Sequence, residues 1–283
     1  MTGTLVDKPI RLRSAPTAVE KSADGDAPLR YQVLGPLRVL GAPGPSINAY
    51  KVKVLLGILL TRAGHVVSLD QLIMNIWGDE PPQRATAAVH VYISQLRRYL
   101  RRRDSSRSPI ITRSPGYLMD VSPADLDLHM FQDLVRRGRT HAMSGQHHEA
   151  ADHFQLALTL WTGRPFEGLT DNPAIGAFAT WMEEIRLECA ESLVDCSLAL
   201  GRHRQMIGLL RNLVAEHPLR ETFHRQLMLA LYRSERQADA LKAYAAARRV
   251  IQGELGLEPC RTLQSLHRAI LSADNDLYIF HAA

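Results

Sequence analysis

Cysteine is scarce in this 283-residue chain, which carries only Cys189, Cys196 and Cys260. Their odd number and the lack of a C-x-x-C pair argue against a disulfide framework and against a cysteine-ligated zinc site. Cys189 and Cys196 lie seven positions apart in a stretch of helical periodicity, where a free thiol usually serves as a small core residue. We therefore expect these two thiols to be packed in a hydrophobic core.

Long apolar runs are also missing. No stretch reaches the roughly 18 consecutive apolar residues of a membrane-spanning helix. Residues 1–28 lack the apolar segment of a secretory signal. We therefore expect a cytoplasmic protein that makes no contact with a membrane.

The signature motifs of common enzymes are absent as well. The chain has no G-x-x-x-x-G-K-[ST] loop to hold phosphate, and no G-x-G-x-x-G, H-E-x-x-H or G-x-S-x-G pattern. Several histidines cluster with carboxylates, but their spacing matches no standard metal site and favours surface side chains: His141, His147, His148, Glu149, Asp152 and His153. We expect no enzymatic activity, no cofactor and no metal.

Positive charge, in contrast, is concentrated in one segment. The net charge is +5, yet residues 29–121 contain 13 Lys or Arg against 5 Asp or Glu, whereas residues 122–283 contain 17 against 20. Such asymmetry indicates an anionic partner for residues 29–121 alone. Residues 1–28 are rich in Ser, Ala, Pro and Asp, which predicts a flexible arm. A minor-groove arm that uses Arg11 and Arg13 is the alternative.

The longest candidate helix of the basic segment covers residues 84–103, which contain neither Pro nor Gly. Apolar side chains recur there at the spacing of one buried helical stripe, namely Val89, Ile93, Leu96 and Leu100. The opposite face is mostly non-acidic and rich in hydrogen-bond donors: Arg84, Ala87, Val91, Ser94, Gln95, Arg98 and Arg102.

This face suits DNA. Gln95 can form two hydrogen bonds with adenine, and small side chains such as Ala88 and Val91 can touch thymine methyl groups. Arginines neutralise phosphates. From the helix alone, two interpretations stay open: a helix that enters the major groove, or a basic face that is merely solvated.

The elements before this helix can also be predicted. Residues 31–34 and 37–40 read as two strands around a Gly-Pro turn, and residues 46–48 as a candidate third. Residues 51–64 have helical spacing with Gly64 at the C-cap, and Lys51 and Lys53 in the first turn contact either phosphate or solvent. Ser68 and Gln71 form a capping box that opens a further helix.

The elements after it complete a known layout. Residues 110–121 read as a strand, a Pro-Gly turn and a second strand. Strands, helix, helix, long helix and hairpin follow the order of a winged helix, a helix-turn-helix variant. The hairpin would bring Arg113 to the duplex; the alternative is a solvated strand end.

The second half is predicted to be helical throughout. Helical patterns cover residues 125–143, 149–161, 173–200, 204–216, 221–232, 238–253 and 259–272. The segment that begins at Gly201 repeats at Glu235, a spacing of 34 residues, which is the tetratricopeptide period. The segment from Gly145 looks like an earlier, out-of-phase copy. We predict an α+β winged helix at residues 29–121, an all-α tetratricopeptide-like domain at 122–275 and a tail at 276–283.

Specific segments carry a family resemblance: LGPLRVL, VLLGILLTRAGHVVSLDQLIMNIWGDEPP, AVHVYISQLRRYL and TRSPGYLMDV. Together they resemble the OmpR-type DNA-binding domain of the Streptomyces antibiotic regulatory protein family. The later phrase ALGRHRQMIGLLRNLVAEHPLRETFHRQLMLALYRSERQADALKAY resembles the bacterial transcriptional activator domain of that family. The resemblance covers about residues 29–273.

The resemblance implies roles for single residues. It implies that Gln95 enters the major groove, that Arg113 reaches the minor groove, and that three further side chains contact phosphates: Tyr92, Ser94 and Arg97. Ser94 and Gln95 stand where OmpR-type domains often have arginine, which shifts the expected base preference from guanine towards adenine. The loop at residues 78–83, with Asp79 and Glu80, is implied in contacting RNA polymerase; the alternative is a solvated loop.

The resemblance implies a transcriptional activator. It would bind direct repeats at promoters as a homodimer, associate with the nucleoid, and recruit RNA polymerase holoenzyme through the sigma factor, the alpha C-terminal domain or the beta flap. The expected targets are genes of an antibiotic or secondary-metabolite cluster. Two alternatives stay open: a ligand-sensing repressor, and a tetratricopeptide-like scaffold with a basic nucleic-acid-binding half.

Overall fold

The computed structural model describes residues 29–42, 47–101 and 108–273. The arm with Arg11 and Arg13, the tail at 276–283 and Arg102 lie outside these residues. The described strands are β1 (Arg30–Gln32), β2 (Arg38–Leu40), β3 (Val66–Ser68), β4 (Ile110–Arg113) and β5 (Gly116–Met119). The described helices are α1 (Tyr50–Thr61), α2 (Leu69–Trp77), α3 (Ala85–Tyr99), α4 (Asp127–Met143), α5 (His147–Thr159), α6 (Pro173–Ala199), α7 (His203–Glu216), α8 (Glu221–Tyr232), α9 (Gln237–Leu255) and α10 (Arg261–Leu271).

The chain divides into two compact units that interleave along the sequence. Of the described residues, the first contains 29–133 and 159–186, and the second contains 134–158 and 187–273. We call them the winged-helix unit and the helical unit. The domain limits drawn from the sequence stay a prediction, since the compact units follow a different division.

Three helices form the core of the winged-helix unit. α1 is buried along most of its length, and α3 buries the predicted stripe of Val89, Ile93 and Leu96. The predicted capping box is confirmed: the Ser68 hydroxyl accepts from the Gln71 N–H at 3.2 Å, and the Gln71 side chain accepts from the Ser68 N–H at 3.2 Å. Each helix thus contributes an apolar face to one core.

The predicted hairpin is confirmed as the antiparallel pair β4–β5. It extends into a three-stranded sheet in the order β3-β5-β4, because β3 pairs with β5 from Val66 to Ser68. A Cβ atom on Gly116 would lie 1.9 Å from the Val67 carbonyl oxygen. Only glycine therefore allows this close approach of β5 to β3.

Several local predictions were wrong. α1 ends at Thr61 with Arg62 as its C-cap, and Gly64 instead forms the following turn, where its N–H donates to the Met119 carbonyl at 2.9 Å. Ile47 and Asn48 lie in no strand. Strand β3 was not predicted, because it pairs with β5, which is distant in the sequence, whereas β1 and β2 flank a single Gly-Pro turn.

Residues outside 29–121 complete the winged-helix unit. The Asp127 carboxylate accepts hydrogen bonds from the Val33 and Leu34 N–H groups at 2.9 and 3.0 Å. Thr162 and Phe166 donate their N–H groups to the carbonyls of Leu34 and Val33 at 2.8 and 3.0 Å. The buried N–H and carbonyl groups of Val33 and Leu34, after β1, therefore find their hydrogen-bond partners in residues that follow the predicted winged helix.

The helical unit is built from repeated helix pairs. α7 and α9 begin at His203 and Gln237, 34 residues apart as predicted. The turns before them match: Gly201 and Glu235 have φ of 75° and 63°. In each turn the next N–H donates to a carbonyl five residues back, Arg202 to Ser197 at 2.9 Å and Arg236 to Leu231 at 3.0 Å.

The earlier copy has the same turn. Gly145 has φ of 71°, and the Gln146 N–H donates to the His141 carbonyl at 2.9 Å. Cys189 and Cys196 are buried as predicted, and burial raises the pKa of their thiols to about 12 and about 11. Across the described ranges, no helix is both long enough and apolar enough to cross a membrane.

Candidate nucleic-acid interface

Helix α3 presents an uninterrupted exposed face. Ala85, Val89, Ile93 and Leu96 are buried against the core. The candidate DNA-binding residues on the opposite side are exposed, as predicted: Arg84, Ala87, Val91, Ser94, Gln95 and Arg98. Val91 is 52% exposed, although it is apolar and sits on an otherwise well-packed helix. An exposed small apolar group beside hydrogen-bond donors is the combination that major-groove readout uses.

Both ends of α3 carry arginine. Arg84 is its N-cap residue and makes no side-chain capping hydrogen bond, and Arg97 and Arg98 occupy its last turn. Cations in the last turn are favourable because they face the negative end of the helix dipole. The helix ends at Tyr99, earlier than the predicted residue 103.

The Trp77 ring contacts two side chains that are candidate phosphate contacts. Its ring stacks on Tyr92 of α3 with a centroid distance of 6.1 Å, and the Lys51 ammonium lies 5.0 Å from the centroid of its ring. Lys51 is exposed, whereas Lys53 and Tyr92 are half-buried. The N-terminal turn of α1, the end of α2 and the middle of α3 therefore form one surface.

Ser94 and Ala88 are less free than the sequence suggested. The Ser94 hydroxyl donates to the His90 carbonyl at 2.9 Å, so its proton is used within the helix. Ala88 is half-buried.

The wing lies beside the C-terminal half of α3. Arg113 ends β4, pairs with Gly116 across the hairpin and is exposed. Arg97 of α3 extends to the wing, where its guanidinium donates to the Ile110 carbonyl at 3.1 Å and to the Thr112 hydroxyl at 2.7 Å. Arg113 and the exposed face of α3 thus belong to one compact unit.

The loop after α2 carries the predicted acidic pair. Gly78 ends α2 with φ of 65°, and Asp79 and Glu80 are both exposed. Neither carboxylate forms an ion pair with another described residue. They are available to a basic partner.

One buried polar residue that contacts the helix before this loop was not predicted from the sequence. Asn172 is only 6% exposed; its side-chain amide donates to the Asn75 carbonyl at 2.7 Å, and its side-chain oxygen accepts from the Ile175 N–H at 3.1 Å. It joins the last turn of α2 to the start of α6. An Asn before Pro173 is a recognisable N-cap signal, but its long-range partner has no sequence signal.

The histidine cluster does not assemble a metal site. His141 stacks on His153 with a centroid distance of 5.1 Å, and His148 lies 3.2 Å from the Asp152 carboxylate. No group of three or more potential ligands converges among the residues with described structure.

Comparisons with known proteins agree with this architecture. The family model described as "Transcriptional regulatory protein, C terminal" matches residues 50–119, and the "Bacterial transcriptional activator domain" model matches residues 126–271. Regulatory protein AfsR of Streptomyces griseus is 37% identical over 260 residues, covering 90% of this chain and 26% of AfsR. Regulatory protein DnrI of Streptomyces peucetius is 34% identical over 254 residues, covering 87% of this chain and 93% of DnrI.

A solved structure shares the fold. The structure described as Mycobacterium tuberculosis EmbR in complex with a low-affinity phosphopeptide aligns with a TM-score of 0.81 at 32% identity, covering 89% of this chain and 67% of that chain. The present chain spans about a quarter of the length of AfsR.

The winged helix, the exposed face of α3 and the helical domain that follows define the class of protein: an OmpR-like domain of transcriptional regulatory proteins joined to a bacterial transcriptional activator domain. Both family models match in this order, and DnrI aligns over nearly its whole length. The chain belongs to the Streptomyces antibiotic regulatory protein family.

Proposed function

We propose that this regulator is an activator that binds direct repeats at promoters as a homodimer and recruits RNA polymerase holoenzyme. Its targets are the genes of an antibiotic or secondary-metabolite cluster, read on nucleoid DNA in the cytoplasm. The helical unit either holds two copies side by side on the repeats or contacts the polymerase sigma factor, alpha C-terminal domain or beta flap.

The observation that carries this proposal is the exposed face of α3 beside an exposed wing arginine in the same compact unit. Within the segment of net charge +8 at residues 29–121, exposed cations surround that face, among them Lys51, Arg84, Arg98 and Arg113. Each phosphate that such cations neutralise adds about 0.9 to the slope of log affinity against log salt concentration.

The proposed contacts divide into base readers and phosphate binders. The base readers are Ala88, Val91 and Gln95 in the major groove and Arg113 in the minor groove. Gln95 favours adenine, with a discrimination of about 1–3 kcal/mol for a good bidentate pair. The phosphate binders are Lys51, Lys53, Arg84, Tyr92, Ser94, Arg98 and Arg102; Ser94 acts through its lone pairs or after its hydroxyl rotates.

The DNA-binding part is tested by selection from a random duplex pool with the purified chain, followed by titration of the selected duplex. Gln95→Ala should lower the preference for selected over random DNA by about tenfold, with little change in random binding. Gln132→Ala, at an exposed position of α4, serves as the control. Equal losses of Gln95→Ala on selected and random DNA would contradict base readout.

The polymerase part rests on the exposed carboxylates of Asp79 and Glu80. A pair of unneutralised charges at the tip of a loop next to α3 suits a basic surface of a protein already bound at the promoter. The double variant Asp79→Asn/Glu80→Gln keeps the shape of both side chains and removes their charge.

This variant should bind the selected duplex like the wild type and lose most activation in transcription with purified polymerase holoenzyme. Asp120→Asn, which removes an exposed carboxylate after β5, is the matched control. Full activation by the double variant would refute the loop contact. A wild-type chain that lowers transcription would instead support the ligand-sensing repressor.

A further inference from the structure

The Arg97 side chain connects α3 to both strands of the wing. Its Nε donates to the Ile110 carbonyl at 3.1 Å and its Nη2 donates to the Thr112 hydroxyl at 2.7 Å, both on β4. Its guanidinium carbon lies 5.7 Å from the ring centroid of Tyr117 on β5. The side chain is half-buried, so these contacts are partly shielded from water.

Tyr117, the ring that the guanidinium contacts, is buried and paired with strands on both sides. It is 8% exposed, pairs with Thr112 on β4 and with Val67 on β3, and forms a T-shaped ring pair with His90 at a centroid distance of 6.5 Å. The guanidinium therefore lies against the middle strand of the sheet rather than against the hairpin turn.

Arg97 lies close in the chain to one proposed base reader, and its hydrogen-bond partner lies next to another. On α3 it is two residues after Gln95, and on β4 its partner Thr112 directly precedes Arg113. A planar, forked group can hold two hydrogen bonds and a ring contact in one geometry, whereas the point charge of lysine cannot.

We propose that Arg97 is a positioning residue, which sets the wing against α3 so that Gln95 and Arg113 address DNA at a defined separation. The inference rests on the proposed DNA contacts of those two residues. It differs from the phosphate contact that the family resemblance implies for Arg97. The two roles differ in what they require: a phosphate contact requires positive charge, and a positioning residue requires the guanidinium shape.

The first experiment measures amide hydrogen exchange across residues 110–119 in the full chain without DNA. Arg97→Lys and Arg97→Gln should both speed exchange in the wing by about tenfold, while the thermal midpoint stays within about 2 °C of wild type. Arg98→Lys and Arg98→Gln, at the neighbouring exposed position, should leave wing exchange unchanged. Unchanged wing exchange in both Arg97 variants would overturn the proposal.

The second experiment titrates the duplex that the wild type selects from a random pool, and a scrambled duplex, between about 50 and about 200 mM salt. Both Arg97 variants should lose about tenfold in the ratio of selected to scrambled affinity, with the salt slope unchanged. Arg98→Gln should lower the salt slope by about one, whereas Arg98→Lys, which keeps the positive charge, should have the wild-type slope.

The opposite pattern would overturn the positioning role. If Arg97→Lys keeps the wild-type ratio and Arg97→Gln lowers the slope by about one, Arg97 is a phosphate contact. If the wild type selects no duplex at all, the DNA-reading proposal fails, and faster wing exchange in both Arg97 variants would still support Arg97 as the residue that holds the wing.

Discussion

Asp127→Asn is the perturbation with the most specific expected outcome. The Asp127 carboxylate accepts from the Val33 N–H at 2.9 Å through both oxygens and from the Leu34 N–H at 3.0 Å. Val33 and Leu34 are fully buried, and Asp127 is 9% exposed. Water therefore cannot replace the acceptor. An asparagine retains one acceptor oxygen and turns an amide nitrogen towards the Val33 N–H, which costs about 1–3 kcal/mol.

The cost should depend on pH. Burial raises the Asp127 pKa from its usual 3.8 to about 6, against the opposing effect of the backbone N–H donors. The folded state therefore holds this proton more tightly than the unfolded state, and the stability it contributes is fully present below pH 3.8 and lost as pH rises through 6. These values correspond to a loss of about 1 kcal/mol between pH 5 and pH 7.

The assay is urea unfolding of wild type and variant at pH 5, 6 and 7, followed by circular dichroism. The destabilisation by Asp127→Asn should shrink by about 1 kcal/mol from pH 5 to pH 7, since asparagine does not titrate. Comparing the two chains cancels the titration of every other group. Asp120→Asn, at an exposed carboxylate, should show no such trend. A difference that is constant or grows with pH would refute the reasoning, because the N–H donors would then favour the ionised carboxylate.

The remaining predictions concern the backbone and one buried amide. Gly116→Ala should destabilise by about 2 kcal/mol or more, because its Cβ would lie 1.9 Å from the Val67 oxygen; Gly253→Ala, with open space around it, should instead stabilise by about 0.5–1 kcal/mol. Calorimetry on both variants measures these changes in stability. A destabilisation by Gly116→Ala well below this value would mean that β3 can move away from the added methyl group. Glu235→Gly should stabilise by about 0.5–1 kcal/mol, since φ is 63° there; a lower thermal midpoint would contradict strain at that turn. Asn172→Leu should cost about 1–3 kcal/mol and increase hydrogen exchange at the end of α2, where its bond to Asn75 is lost; unaltered exchange would show that the bond does not hold that turn.

The sequence alone determined most of the local structure. The limits of α8, the start of α6 and the ends of α4 and α7 were predicted to the residue, and the other helix limits lie within four residues of the prediction. The stripe of Val89, Ile93 and Leu96 oriented α3 correctly, and the capping box placed the start of α2. These features follow from helical periodicity and from hydrogen bonds between neighbours in the chain, which short windows of sequence contain.

Only the tertiary structure decided how the candidate interface is held. Arg97 and Thr112 are 15 residues apart, and Asp127 and Val33 are 94 apart. The family resemblance implied a phosphate contact for Arg97, and no sequence pattern singled out Asp127. Their partners are backbone groups and a hydroxyl, which carry no distinctive sequence signal.

The close contact at Gly116 has the same origin. Its need for glycine comes from the Val67 carbonyl on β3, a strand that pairs with β5 from a distant part of the sequence. Which polar groups become buried, and which long side chains are held by the wing rather than free for DNA, depends on packing between distant segments. That packing is the physical reason why the sequence predicted the exposed face of α3 but not the contacts that position it.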